Sequence, residues 1–86
     1  MSQARNALKA EVIANVDEES VRIAQIRPYT LVEVYSKVRG RNRRGVGLAV
    51  QGRTDAWNQQ MGLNIAYGRA LMNIVDQLQN EFSQHA

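Results

Sequence analysis

The chain lacks cysteine altogether and has only one histidine and one proline. Without cysteine it can form neither a disulfide nor a thiolate metal site. The single histidine, His85, stands next to the C-terminal residue, where side chains are commonly mobile. A catalytic triad would have to use it. These absences argue against hydrolytic and metal-dependent enzymes, so we expect a protein without catalysis or cofactor, suited to a reducing compartment.

Long apolar runs are also missing. No segment approaches the ~20 apolar residues that span a bilayer, and residues 1–5 do not lead into the apolar stretch of a signal peptide. We therefore expect a cytoplasmic protein without a membrane partner, located in the host cell cytoplasm if a phage encodes it. A chain of 86 residues forms one domain, and its thin core favours oligomerisation.

What the chain does have is positive charge concentrated in one stretch. Residues 37–45, which we call the basic loop, hold five of the eleven basic residues and no acid, and Arg53 follows. Residues 37–53 therefore carry +6, while the whole chain carries +3, so the remainder is −3. Such a local concentration indicates a place where an anion is bound. The alternative is a solvated loop tip without a ligand.

Hydrophobic periodicity predicts an α+β fold of order α-β-β-β-α, with a three-stranded antiparallel sheet and a long C-terminal helix. Leu8, Val12 and Val16 have the spacing of a helix over residues 3–15, although β-branched residues leave a short strand over 11–16 open. The predicted elements span residues 3–15, 21–26, 31–38, 45–50 and 56–82. A turn joins the first two strands, and Thr54 or Asp55 would cap the last helix.

Two runs of small residues occur in these elements. The third strand leaves one of its faces almost bare, and the long helix carries a parallel stripe without large side chains. The residues concerned are Gly45, Gly47 and Ala49 in the strand, and Gly62, Ala66 and Ala70 in the helix. A bare strand face permits close approach of another element. That element is the helix in one interpretation, and a ligand or partner chain in the other.

The helices would cover one face of the sheet and leave the other free, showing Glu33, Tyr35 and Lys37. The basic loop would lie between the second and third strands. Arginine presents a planar donor fork that suits phosphate, and it stacks on flat rings. We therefore predict a binding site for an anionic nucleotide ligand, although Arg69 could instead pair with Asp55. The predicted ligand-binding residues are Arg39, Arg41, Asn42, Arg43, Arg44, Arg53 and Arg69.

The order α-β-β-β-α resembles the double-stranded RNA-binding domain fold. In that family a lysine-rich start of the last helix holds phosphates, whereas residues 54–60 here contain no lysine. Residues 45–49 (GVGLA) and 62–71 (GLNIAYGRAL), with Asp55 between them, resemble small bacterial and phage proteins of this fold. The glycine strand and the YGRA motif are also similar to the phage anti-Thoeris sponge proteins. Those oligomers trap cyclic ADP-ribose-type signals, and some trap cyclic oligonucleotides, which implies an anti-defence protein that sequesters an immune signal.

A homo-oligomer suits this role, because a symmetry axis would bring several copies of the basic loop together. Two other hypotheses remain open. The basic loop could bind nucleic acid, or the protein could inhibit a host defence complex through a protein contact.

Overall fold

In the computed structural model the chain folds in the predicted order, with two helices and a three-stranded antiparallel sheet. The structure describes residues 2–52 and 56–85. Strand order in the sheet is β1-β2-β3, so β2 is central. Within this described part, neither helix is apolar enough to cross a membrane. The elements are α1 (Ser2–Ala14), a 3-10 turn (Glu18–Ser20), β1 (Arg22–Ile26), β2 (Tyr29–Val38), β3 (Arg41–Val50) and α2 (Gln59–His85).

The first helix runs as far as Ala14, so the alternative of a strand over residues 11–16 is wrong. Val12 is fully buried within it, and the Val12 carbonyl accepts a hydrogen bond of 2.7 Å from the Ser36 hydroxyl. Only Val16 makes a β-type contact, a single bridge to Ser36. The β-branched residues here serve core packing, because tertiary contacts override local strand preference.

The prediction that residues 37–45 form a loop is wrong, because most of them belong to the paired strands β2 and β3. Only Arg39 and Gly40 form the turn, with φ of 55° and 78°. Two successive positive φ angles are what a two-residue hairpin turn requires. Pairing starts beside the turn at Val38 and Arg41 and continues along all ten residues of each strand. The arginines therefore lie mostly in a strand, where successive side chains point to opposite faces.

The last helix begins at Gln59, three residues later than predicted. The Asn58 side-chain oxygen accepts a hydrogen bond of 3.0 Å from the Met61 N–H and so caps the helix. The Gln51 side chain bonds both the N–H and the C=O of Asn58, at 3.0 and 3.1 Å, and this holds Asn58 outside the helix. The predicted caps at residues 54–55 lie outside the described residues.

Close packing of α2 on the sheet confirms the first interpretation of the small residues. An ideal Cβ on Gly45 would lie 2.2 Å from the Ala70 oxygen, and one on Gly47 would lie 1.9 Å from the Ala66 oxygen. Neither position has room for a methyl group. The small residues on this face of β3 therefore allow α2 to pack closely against the strand. The surrounding core consists of Leu8, Val12, Val32, Val34, Val38, Ala49, Ala66, Ala70, Leu71, Ile74, Val75 and Leu78.

The opposite face of the sheet, which we call the open face, has no described element packed on it. Glu33, Tyr35 and Lys37 lie there, as predicted, and alternate with the buried residues of β2. By register, the open face comprises Arg22, Ala24, Ile26, Tyr29, Leu31, Glu33, Tyr35, Lys37, Asn42, Arg44, Val46, Leu48 and Val50.

Candidate anion-binding site

The end of the β2–β3 hairpin, which we call the basic end, gathers five cationic side chains. Strand alternation divides them between the two faces of the sheet. Arg41 and Arg43 lie on the face that packs against α2, whereas Lys37 and Arg44 lie on the open face. Arg39 occupies the turn. The basic residues therefore lie close together, but their side chains point in different directions.

Arg43 is the buried member of this group, with 8% of its surface exposed. Its Nε donates to the Val38 carbonyl at 3.4 Å. Both terminal nitrogens donate to the two carboxylate oxygens of Glu81 on α2, one of them at 3.1 Å. A bidentate pair of this kind is among the stronger side-chain interactions. Arg43 thus ties the C-terminal half of α2 to the sheet and holds the Glu81 carboxylate in place.

Arg41 shares the same carboxylate from the solvent side. Its Nη1 lies 3.6 Å from the Glu81 Oε1 atom, and 73% of the Arg41 side chain is exposed. Exposed ion pairs contribute only ~0–1 kcal/mol. Another anion can therefore compete with Glu81 for Arg41.

The two remaining ion pairs involve carboxylates from other elements. Arg44 Nε donates to Glu33 on β2 at 2.5 Å. This hydrogen bond and the negative charge of Glu33 raise the pKa of Arg44, so its guanidinium stays charged in any ordinary buffer. Arg39 Nε lies 3.7 Å from a carboxylate oxygen of Glu11 on α1. Arg44 and Arg39 are themselves well exposed, although Glu33 is only 18% exposed, so both guanidinium groups remain within reach of solutes.

A polar groove of about 490 Å³ lies beside these arginines, between β3 and α2. Its volume falls within the range of small-molecule sites. Four of the seven predicted ligand-binding residues line it together, and amide side chains of α2 form the opposite wall. The lining residues are Arg41, Asn42, Arg43, Arg44, Gln77, Asn80 and Glu81.

Two of the described site residues, Arg39 and Arg69, do not line this groove. Arg69 Nη1 donates to the Leu48 carbonyl at 2.6 Å. Leu48 stands four residues beyond Arg44 on β3, which is about 14 Å along a strand. Arg53 lies outside the described residues, as does Asp55, the alternative partner of Arg69. The structure therefore brings together the arginines of the hairpin but not Arg69.

Side chains on one side of α2 cover the outer edge of β3, and Arg69 is one of them. Arg69, Asn73 and Gln77 stand four residues apart and bond the outward backbone groups of the strand. Their partners are the Leu48 C=O (2.6 Å), the Val46 N–H (3.1 Å) and the Arg44 C=O (2.7 Å). A covered edge cannot pair with a further strand. The four-residue spacing beside the small-residue stripe was a signal for this role in the sequence.

The carboxylates of the site were missed by sequence reasoning. Glu11, Glu33 and Glu81 belong to three elements far apart in the chain, and only tertiary packing brings them to the basic end. No local pattern marks them. Among the described residues, no three histidine, cysteine, aspartate or glutamate side chains come together where they could hold a metal ion.

Comparison with known proteins shows a likeness to a solved structure. No family model matches this chain, and no curated protein matches it. Among solved structures, the crystal structure of Rv2632c is similar, with a TM-score of 0.66 and 30% sequence identity. The match covers 81% of this chain and 80% of the Rv2632c chain. Identity at this level over most of both chains means that the protein belongs to the same family as Rv2632c.

Proposed function

We propose that this protein is a non-catalytic, homo-oligomeric binder of a small anionic ligand of the nucleotide class. The ligand would occupy the polar groove between β3 and α2, with its phosphate at the basic end. Binding without conversion would sequester the ligand. The resemblance to the anti-Thoeris proteins makes a cyclic ADP-ribose-type signal or a cyclic oligonucleotide the first candidate, and immune evasion the role.

The observation that carries this proposal is an excess of positive charge at the basic end. Among the described residues, five cations there lie near three carboxylates, Glu11, Glu33 and Glu81, so this part of the structure carries a net charge of +2. A phosphate supplies the missing negative charge and offers several acceptor oxygens at once. The groove beside it has room for a nucleoside monophosphate or a somewhat larger ligand.

The arginines would have distinct roles in this site. Arg41 is exposed and would donate directly to the phosphate, because its 3.6 Å ion pair with Glu81 is weak enough to be displaced. Arg44 would keep its 2.5 Å hydrogen bond to Glu33 and add positive charge to the site. Arg43 would not contact the phosphate, because it is held by Glu81, the carboxylate that the phosphate would displace from Arg41. The exposed amides of Asn42 and Asn80 would orient the base or sugar.

Thermal denaturation with a panel of ligands tests the proposal. The panel contains cyclic ADP-ribose, a cyclic dinucleotide, a cyclic trinucleotide and ADP-ribose. A ligand at ~100 times its dissociation constant adds ~2.7 kcal/mol, which raises the melting temperature of a domain this small by roughly 10–20 °C. We expect at least one member to do so, and Arg41→Gln to weaken its binding by about tenfold or more.

The matched control is Arg27→Gln, which removes the same charge from the turn at the opposite end of β2. It should leave the affinity within about twofold of the wild type. The proposal fails if no panel member shifts the melting temperature, or if Arg27→Gln weakens binding as much as Arg41→Gln does.

Nucleic-acid binding is the second candidate, favoured by the α-β-β-β-α order. It predicts affinity for duplex RNA or DNA that falls steeply with salt, with a log–log slope near −0.9 per phosphate contact for B-DNA. The first turn of α2 (residues 59–62) contains no basic residue. A gel-shift assay at low salt separates this candidate from the first, which predicts little or no retention of duplexes.

A further inference from the structure

The open face carries an apolar patch that nothing in the described chain covers. Two cross-strand rows, each complete across all three strands, form it: Ala24–Leu31–Leu48 and Ile26–Tyr29–Val50. We call these six residues the apolar patch. The larger five are between 41% exposed (Leu31) and 77% exposed (Ile26). Contiguous apolar surface of this kind on a soluble protein marks an interaction site.

The first strand is also poorly covered by the rest of the described chain. None of the five residues of β1 is buried, although it pairs with β2 along its whole length. Ile23, which points to the α2 side of the sheet, is 52% exposed, and Ile26 on the open face is more exposed still. A strand with two exposed isoleucines and no buried residue gains little from the monomer's own core.

We propose that the apolar patch is the interface of a homodimer, in which two copies pack their sheets face to face. A twofold interface brings one patch against itself, so it must be complementary to itself. The apolar patch meets this condition because it contains no charged side chain. If the basic end formed the twofold interface instead, the positive charges of the two copies would face each other.

The charges around the patch fit this arrangement. Arg22 and Glu33 lie in the next row of the open face, and Arg44 lies beyond it, all on one side of the patch. A twofold axis between the two apolar rows, perpendicular to the strands, sends these charges to opposite ends of the dimer. Arg27, in the turn at the other side, then approaches the row of the second copy that contains both Arg22 and Glu33. That row carries one charge of each sign, so it presents no net repulsion to Arg27.

The dimer goes beyond the proposed ligand function and does not depend on it. The apolar patch shares no residue with the polar groove. Because the basic ends point away from each other, each copy keeps its own groove, and the arginines are not gathered at the axis. Three strands offer a small interface for sheets packed ~10 Å apart. We therefore expect a reversible dimer with a dissociation constant of about micromolar order, typical of interfaces below the standard size.

Sedimentation velocity over a concentration series tests this dimer. The wild type should move from a mass of 9.7 kDa towards twice that value as its concentration rises. Ile26→Glu and Leu48→Glu each place a charge in the patch and should weaken dimerisation by about 100-fold or more. Ile23→Glu is the matched control, since Ile23 is an exposed isoleucine of the same strand on the other side of the sheet. It should leave the dimer intact.

Two results would overturn the proposal. One is a wild-type protein that stays at 9.7 kDa at every concentration. The other is dissociation by Ile23→Glu with no effect of Ile26→Glu, which would assign self-association to the edge of β1. Circular dichroism checks that each variant is folded. If a glutamate variant unfolds, Ile26→Ser replaces it, with an expected weakening of about tenfold, and an unchanged dimer in that variant would again refute the interface.

Discussion

Glycine residues of this chain serve two opposite purposes at the scale of single residues. Gly47 lies where α2 crosses β3, and a Cβ there would overlap the Ala66 backbone at 1.9 Å. Gly68 stands in the middle of α2 with nothing within 4 Å of such a Cβ. The first glycine is required by packing, whereas the second only lowers the stability of the helix.

Alanine at each of these two positions should therefore have effects of opposite sign. Gly47→Ala forces the helix away from the sheet and should cost about 3 kcal/mol of unfolding free energy. Gly68→Ala should add up to about 1 kcal/mol, because alanine is the better helix former. Urea denaturation of both variants measures the difference. Equal effects would show that α2 does not approach β3 as closely as described.

The Glu81 carboxylate links the stability of the fold to the proposed site. Glu81→Gln would leave the buried Arg43 guanidinium without its counter-charge and should cost about 2 kcal/mol. The same change removes the anion that competes with a ligand for Arg41, so affinity for a nucleotide phosphate should rise. Urea denaturation and calorimetric titration measure the two effects.

Asp76→Asn is the control for this prediction, since it makes the same chemical change on the same helix. Asp76 pairs with Arg5 of α1 at 2.9 Å, and both side chains are well exposed. It should cost less than about 1 kcal/mol and leave ligand affinity unchanged. If Glu81→Gln weakened ligand binding instead, Glu81 would be part of the ligand contact rather than its competitor.

At the scale of elements, the two edges of the sheet differ. The β3 edge is closed by Arg69, Asn73 and Gln77 of α2, whereas no described side chain of α2 closes the β1 edge in this way. Closed edges resist pairing with other chains. Self-association is thus directed away from β3, where the polar groove lies, and towards the β1 side and the open face.

Removing the side chain of Asn73, the middle one of these three residues, should expose the β3 edge locally. Asn73→Ala takes away the acceptor of the Val46 N–H, a hydrogen bond of 3.1 Å. Hydrogen exchange at Val46 should accelerate by about tenfold, which corresponds to ~1.4 kcal/mol. The Gly47 amide, which faces β2 inside the ladder, serves as the internal control and should change little. Equal acceleration at both amides would point to general destabilisation rather than an edge effect.

The order of the elements followed from the sequence because each apolar pattern is local. Val32, Val34 and Val38 alternate as a strand does, and the proline-free C-terminal third has helical periodicity. The length of β3 did not follow, because the arginines at its start hide the alternation that marks a strand. Its pairing with β2 extends past the apolar residues to the turn at Arg39, which only the register reveals.

The candidate site was less accessible to sequence reasoning than the fold. The arginines stood out by their density, but the partners that decide which of them remain available come from three distant elements. Arg43 and Arg69 illustrate the point. One is committed to Glu81 and the other to the Leu48 carbonyl, and the sequence around either arginine does not identify its partner.

At the scale of the whole molecule, the two proposed interaction surfaces lie at opposite ends of the β2–β3 hairpin. Arg41 and Arg44 belong to the basic end, and Ile26 and Leu48 belong to the apolar patch. The two functions should therefore be separable. Ile26→Glu should abolish dimerisation with ligand affinity unchanged, and Arg41→Gln should do the reverse. Loss of both properties in either variant would mean that the ligand site spans two copies.

An NMR titration of the ¹⁵N-labelled protein is the most direct test of anion binding at the basic end. Cyclic ADP-ribose, a cyclic dinucleotide and inorganic pyrophosphate are added in separate experiments. We predict saturable shifts for at least one nucleotide, confined to the amides of residues 41–44 and the side chains of Asn42 and Asn80, and weaker shifts for pyrophosphate. No saturable shift with any of the three, or shifts centred on Arg22 and Arg27, would contradict a site at the basic end.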